Sequence, residues 1–128
     1  MASGLDNAEA DRLKNASLKG TAYTLPTTPM KLALNSATSS GASAGTEVVG
    51  GSYARQTITL ATSAGAAVAS TDAQTYTNMP AITTTNVNIY DSNGSPRRAY
   101  WGDLTANKTT ASGDTLSFAI GAVTVNLT

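Results

Sequence analysis

Three aspartates, Asp91, Asp103 and Asp114, are the side chains of this sequence best suited to acid–base chemistry. Two carboxylates can hydrolyse a glycosidic bond when they lie about 5 Å or roughly 6.5–9.5 Å apart. Each of the three stands in or beside a predicted turn, where aspartate is favoured because it accepts backbone hydrogen bonds. We therefore interpret them as turn residues, and a glycosidase is the least favoured function.

The composition excludes much of the remaining catalytic and metal chemistry. The chain has no Cys and no His, which excludes thiolate nucleophiles, histidine bases and the usual zinc ligands. The run Asp91-Ser92-Asn93-Gly94 is similar to the start of a calcium loop, but no closing glutamate follows. The sequence therefore predicts no enzyme, no catalytic residue, no cofactor and no metal.

The most distinctive run is Thr46–Leu60, in which Gly50-Gly51 precedes Tyr53 and Arg55. A glycine pair can form a ligand loop or a turn that leads into a strand. A phosphate loop needs a following helix and a lysine, whereas a run of β-forming residues follows here. We predict a turn or bulge, with Tyr53 and Arg55 sharing one face, where they hold the strand or contact a neighbour.

Two adjacent pairs, Arg97-Arg98 and Tyr100-Trp101, follow a predicted hairpin turn at Asn93-Gly94. The arginines are interpreted as a solvated hairpin end, with a specific contact as the alternative. The rings could stack on a sugar or a base. Alternation along a strand places one ring on each face, so we expect one in the core, preferably Trp101, and the other at a surface or interface.

Residues 1–20 differ from the rest because they combine charges with a thin apolar stripe at helical spacing. Ser3 with Asp6 forms a weak capping box, and Gly20 stands where a glycine would end the helix. The sequence predicts one short helix. Its stripe is too narrow for an independent fold, so the helix must dock, either on its own sheet or on a neighbouring subunit.

Short alternating segments separated by turns fill the rest of the chain. Met30–Asn35 reads as a half-buried strand, and the serine-rich residues 36–46 read as a mobile loop. Later segments, including 65–70 and 123–127, continue the pattern. We predict a mainly β fold, a compact antiparallel β-sandwich (jelly-roll-like) of about eight short strands with a short N-terminal helix. Residues 1–25 would form the helix and an extended link, and residues 26–128 the sandwich domain.

The charge balance bears on partners and location. The chain carries 8 basic and 8 acidic residues, so its net charge is zero, and a nucleic-acid partner is not expected because none of the usual basic excess is present. Neither a signal peptide nor a run of about 20 apolar residues is present. We therefore expect no membrane partner and synthesis in a cytoplasm. Low charge also suits a protein that packs into an assembly.

Several segments resemble the small minor capsid, decoration and tail-fibre-like proteins of tailed bacteriophages. The resemblance covers nearly the whole chain, and Gly50–Gln56 and Gly113–Phe118 are its most specific parts. It implies a β-sandwich virion component without enzymatic activity, and it implies no catalytic or binding residue.

We therefore expect a structural virion protein, made in the host cytoplasm, that binds the outside of the capsid as a decoration protein. The alternative is a tail-fibre or head-fibre protein that acts as a host-surface adhesin. The expected partners are the major capsid protein, or other virion structural proteins, and further copies of the chain. The expected assembly residues are Leu5, Leu13, Leu18, Tyr23 and Leu25, and the further surface or interface candidates are Tyr53, Arg55, Tyr100 and Trp101.

Overall fold

The computed structural model describes residues 3–62 and 67–126, so the expected strand positions 65, 66 and 127 lie outside the described residues. Within the described part, one helix and ten strands confirm the mainly β, antiparallel fold with a short N-terminal helix. The elements are β1 (Ser3–Leu5), α1 (Asn7–Lys19), β2 (Met30–Ala37), β3 (Thr46–Glu47), β4 (Gln56–Ile58), β5 (Ala67–Ala69), β6 (Gln74–Met79), β7 (Ile82–Tyr90), β8 (Arg98–Thr110), β9 (Asp114–Phe118) and β10 (Thr124–Asn126).

The largest sheet has the strand order β1-β8-β7-β2-β3, and β4 also pairs with β2. All its pairings are antiparallel. Two separate strand pairs, β6 with β9 and β5 with β10, form the second layer. The long strands β7 and β8 lie inside the large sheet, while its edge strands have only two or three residues. Short edges limit uncontrolled strand pairing between molecules.

The apolar core lies between the large sheet and the second layer. Leu32 faces Ile89 across the β2–β7 pair, and both side chains are buried. From the second layer, the Tyr76 ring packs edge-on against Phe118, with 6.4 Å between ring centroids. The Tyr76 hydroxyl donates a hydrogen bond of 2.7 Å to the Leu32 carbonyl. This bond links the two layers inside the core, where an unpaired carbonyl would be costly.

The opposite face of β2 is also covered, so the prediction of a half-buried strand was wrong. Residues 32–35 are all buried, because the serine-rich loop crosses the second face. The side-chain amides of Asn35 and Asn88 donate to the Ala44 carbonyl at 2.5 and 2.9 Å. Arg98 donates to the Ser43 carbonyl at 2.7 Å. The loop predicted to be mobile is thus bound to the sheet by side-chain hydrogen bonds.

The predicted hairpin joins β7 to β8, and its connection is longer than a two-residue turn. Asp91 organises residues 91–97 by accepting the backbone N–H groups of Arg97 at 2.8 Å and Asn93 at 3.3 Å. It also accepts the N–H group of Thr27 at 3.0 Å. Burial alone would raise the pKa of Asp91, but these three N–H groups favour the carboxylate and lower it. The interpretation of Asp91 as a turn residue is confirmed.

The helix begins at Asn7, because Asp6 is the N-cap and accepts the Ala8 N–H group at 2.9 Å. The capping role predicted for Ser3 was therefore wrong, and Ser3 lies in β1. Gly20 ends the helix in the left-handed conformation, with φ of 69°, as predicted. The strand β1 was not predicted, since three residues are too few to show alternation.

The predicted turn at Gly50-Gly51 is confirmed by positive φ angles of 112° and 56°. Ser52, which follows the pair, donates its N–H group to the Asn78 carbonyl at 2.9 Å. A Cβ atom on Gly51 would clash with that same carbonyl oxygen. Only glycine accommodates both the backbone angle and the close approach of this neighbour.

We expect Gly51→Ala to destabilise the fold by at least about 2 kcal/mol, since it combines left-handed strain with a backbone clash. Gly94→Ala is the matched control, because its Cβ atom would meet nothing within 4 Å and its φ is not positive. The control should change stability by less than about 0.5 kcal/mol. Urea unfolding followed by circular dichroism measures both, and equal effects would contradict the prediction.

Candidate functional site

The N-terminal arm, defined here as residues 3–25, is bound to the sandwich through the start of its helix. The Asp6 N–H group donates to the Ala99 carbonyl at 2.9 Å, and the Asn7 N–H group donates to the Gly41 carbonyl at 2.8 Å. Asp6 therefore holds the helix from both sides, since its side chain caps the helix while its backbone joins β8.

The Glu9 carboxylate is the main attachment of the helix. Glu9 is the only buried helix residue, with 2% exposure. Arg97 forms a two-point ion pair with it, in which Nε donates to Oε2 at 2.7 Å and Nη2 donates to Oε1 at 2.8 Å. Arg12 adds a contact of 3.1 Å from the next helical turn. A buried carboxylate needs such partners, because an unpaired one would be strongly destabilising.

The same guanidinium holds the chain that leaves the helix. Arg97 donates from Nη1 to the Thr24 carbonyl at 2.7 Å and from Nη2 to the Tyr23 hydroxyl at 3.0 Å. The Tyr23 hydroxyl in turn donates to Glu9. Burial, and then the hydrogen bond and charge of Glu9, raise the pKa of Tyr23. One arginine thus joins the helix, the link after it and the β7–β8 hairpin.

Arg98 forms a second junction on the other face of the sheet, where it is 8% exposed. Its Nε donates to Asp6 Oδ2 at 2.9 Å, and its Nη2 donates to the carbonyls of Ser40 at 2.6 Å and Gly41 at 3.1 Å. The helix cap and the serine-rich loop therefore share one cation. The interpretation of Arg97-Arg98 as a solvated hairpin end was wrong, because both guanidinium groups are bound within the chain.

The aromatic pair divides between the two faces of β8, as alternation predicts, but the roles are reversed. Tyr100 packs against the core and lies opposite Leu5 of β1. Trp101 lies on the other face, where its indole Nε1 donates to the Leu5 carbonyl at 3.2 Å. The expectation of Trp101 as core anchor was therefore wrong. Its half-exposed ring covers β1 beside Gly4.

Tyr53 and Arg55 come together on Glu47 of the edge strand β3. Tyr53 donates its hydroxyl to Glu47 at 2.7 Å, and Arg55 reaches both carboxylate oxygens, at 2.8 and 2.9 Å. The Tyr53 oxygen also accepts the Leu34 N–H group at 2.9 Å. The guanidinium carbon of Arg55 lies 3.8 Å from the Tyr90 ring centroid. The two residues therefore lock the sheet edge, the first of the two roles predicted for them.

The five residues predicted for assembly all belong to the arm, but they differ in exposure. Leu5, Leu13 and Tyr23 are half-buried. Leu18 and Leu25 are 79% and 76% exposed. These two give the arm an apolar surface that the chain itself leaves uncovered, and their role in assembly stays a prediction.

Sequence reasoning missed the charged partners Asp6, Glu9 and Glu47, although a signal was present. Only 12% of the residues are charged, so an Arg-Arg pair in such a chain is more informative than in an ordinary surface. Acidic residues on the predicted helix were the available partners for it.

A cleft of about 210 Å³ opens between the two layers beside β1 and β10. Its apolar lining includes Tyr100, Phe118 and Val125, and its polar lining includes Asp103. In the described part of the chain, no group of three or more acidic side chains could hold a metal ion. No helix among the described residues is long and apolar enough to cross a membrane.

The family model described as podophage GP4 fiber I protein gp80 matches residues 4–126, which include the arm and the sandwich. The chain belongs to this family. It is therefore a structural phage protein located in the virion, which confirms the resemblance at that level. The family covers fibre proteins by its description and does not separate fibre from capsid placement for this chain. No curated protein matches the chain.

Removing one partner of the buried Glu9–Arg97 pair should release the arm. Breaking a buried pair costs about 3–5 kcal/mol. For Arg97→Gln we expect the α1 amides to exchange at least about 100-fold faster. This factor corresponds to a loss of about 2.7 kcal/mol in the free energy of opening, less than the full cost of breaking the pair. The amides of β6 and β9 should keep their protection. Hydrogen exchange with mass spectrometry measures both segments.

Lys14→Gln is the matched control for this experiment. It removes another ion pair of the same helix, Lys14 with Asp11, whose side chains are 63% and 66% exposed. Exposed pairs contribute little, so α1 exchange should stay close to wild type. Unchanged α1 protection in Arg97→Gln would contradict the role given to the buried pair.

The Glu47 cluster predicts a pH dependence of stability. Burial alone would raise the pKa of Glu47, but hydrogen bonds from Arg55 and Tyr53 outweigh it, so the pKa lies below its usual 4.5. A lowered folded-state pKa stabilises the fold above the unfolded-state pKa, and this contribution disappears as the pH falls through the folded-state pKa. Glu47→Gln should therefore destabilise the protein at pH 7 and much less at pH 3.

Urea unfolding at the two pH values measures this difference in the free energy of unfolding. Asp11→Asn is the control, since Asp11 lies on the exposed face of α1. A Glu47→Gln difference that is the same at both pH values would show that the carboxylate charge is not what stabilises this edge.

Proposed function

We propose that this chain is a non-enzymatic structural subunit of a virion fibre. The observation that carries this proposal is the match to a phage fibre family over residues 4–126. Because the match includes α1 and both layers of the sandwich, it concerns the whole described architecture and not one motif. The adhesin role considered for fibre proteins would be a further property of that fibre.

The environment of the carboxylates supports the absence of enzymatic activity. Asp91 is occupied by three backbone N–H groups. Asp114 accepts the Ala111 N–H group at 2.8 Å in the turn before β9. Glu9 and Glu47 are each paired with an arginine. These four acids perform structural tasks, so none of them is available as one half of the carboxylate pair that glycoside hydrolysis needs.

We propose further copies of this chain, and another structural virion protein, as its partners. Leu18 and Leu25 of the arm offer exposed apolar contacts. Full burial of a leucine side chain contributes roughly 1.5–3 kcal/mol before the costs of association. Two such contacts on each subunit would add to the stability of an interface, and further contacts would be needed to exceed those costs.

Capsid decoration, with the major capsid protein as partner, is the second candidate. Its support is the two-layer sandwich, which suits a shell surface as well as it suits a fibre. In that case the arm would contact the shell, and the chain would be present over the whole head.

Location and copy number distinguish the two candidates. For a fibre subunit, gold-labelled antibody against the chain should mark fibres, and quantitative mass spectrometry should find it at a small fraction of the copies of the major capsid protein. A copy number comparable with that of the major capsid protein, and gold over the whole head, would overturn the fibre proposal and support decoration.

A further inference from the structure

The apolar core is complete without the N-terminal arm. Among the described residues, none before Met30 belongs to the core cluster or packs against it as a partly buried hydrophobic. The helix buries one side chain, and that is the charged Glu9. Detaching the arm would therefore remove no member of the core cluster, and it would open the cleft that Ser3 and Gly4 share with Ile89 and Phe118. It would also separate hydrogen bonds, ion pairs and the short β1–β8 pairing.

The surface that holds the arm, called the arm receptor here, is polar and directional. It comprises the guanidinium groups of Arg97 and Arg98, the indole N–H group of Trp101, and the carbonyls of Gly41 and Ala99. Each group meets a particular atom of the arm, so the receptor recognises this arm sequence. Nothing in those contacts depends on whether the arm comes from the same chain or from another copy.

The connection between the arm and β2 is long enough to reach a neighbour. Residues 20–26 join the helix to Thr27, whose N–H group is bound to Asp91 of the same chain, and Pro26 favours extended backbone. These seven residues span up to roughly 24 Å when extended, once Tyr23 and Thr24 have left their own Arg97. The receptor of an adjacent subunit is therefore within reach of an arm that leaves its own body.

We propose that in the assembled particle the arm binds the arm receptor of a neighbouring copy, in exchange for its own. The inference rests on the proposed function, because the particle supplies the neighbour. A short flexible connection holds a group at an effective concentration of the order of mM, and subunits fixed side by side reach similar values. Exchange also gives the exposed Leu18 and Leu25 a second subunit to contact.

Cysteine pairs test this exchange directly, since the chain has no native Cys. A Cβ atom on Gly41 would lie 3.3 Å from Asn7 Cγ, which is close enough for a disulfide between Asn7→Cys and Gly41→Cys. Particles are assembled from two differently tagged chains, each carrying one of the two cysteines. A disulfide between the tags can then form only when an arm occupies the receptor of another copy.

We expect covalent dimers with both tags on non-reducing gels of purified particles, and their loss on reduction. The control mixes Asn7→Cys with Thr77→Cys, an exposed position on β6 in the second layer. It should give at most a few per cent of the dimer seen with the test pair. Ser3→Cys with Gly102→Cys is a second test pair, since these residues are register partners in β1 and β8.

Chains that carry both cysteines of a pair show whether the disulfide can form at all. If the disulfide forms within these chains, while the mixed particles give only control levels of dimer for both pairs, the exchange proposal is overturned. Gold labelling reports location separately. The crosslink can therefore fail in particles whose fibres do contain the chain, and it can succeed in particles where the chain lies on the head.

Discussion

Arg98 is a nearly buried cation, and many features of the structure depend on how it is satisfied. A guanidinium removed from water is costly unless its N–H groups find acceptors. Asp6 supplies one acceptor from the helix cap, and the carbonyls of Ser40, Gly41 and Ser43 supply others. Satisfying this one side chain therefore fixes where the helix starts and where the serine-rich loop lies.

The position of that loop determines the character of β2. Since residues 38–45 cover the second face of the sheet, Ala33 and Asn35 are buried as completely as Leu32 and Leu34. One face of β2 is held by apolar packing and the other by amide hydrogen bonds. The apolar face supplies most of the stabilising energy. The polar face determines which segment can cover it, because each buried side-chain amide needs a hydrogen-bond partner in a defined position.

The parts of the fold that a single sequence could predict are those with a local pattern. Met30–Asn35 alternates, Gly50-Gly51 marks a turn and Gly20 ends the helix, and each is where local chemistry places it. The unpredicted parts depend on distant partners. Glu9 and Arg97 are 88 residues apart, so no local spacing reveals that they form a buried pair.

The candidate site shows the same limit more strongly. The arm was predicted as an assembly element from its thin apolar stripe, yet its observed attachment is carried by charges that sequence reasoning had assigned to solvent. Leu13, which belongs to that stripe, is only half-buried, whereas the buried side chain of the helix is the charged Glu9. Helical spacing identifies a face, but only tertiary contacts decide which face of a lightly apolar helix is turned inward.

This separation of roles suits a protein that must fold before it assembles. A subunit that left apolar core surface open until a partner arrived would risk aggregation during synthesis. Here the described core closes within the sandwich, and the arm is held by polar groups that water can replace while it moves. The attachment of the arm is still specific, because Glu9 and Asp6 form ion pairs with two arginines at fixed positions after the hairpin turn. Because the arm is attached by polar groups, the subunit can fold completely before assembly and its arm can still move to a neighbouring copy.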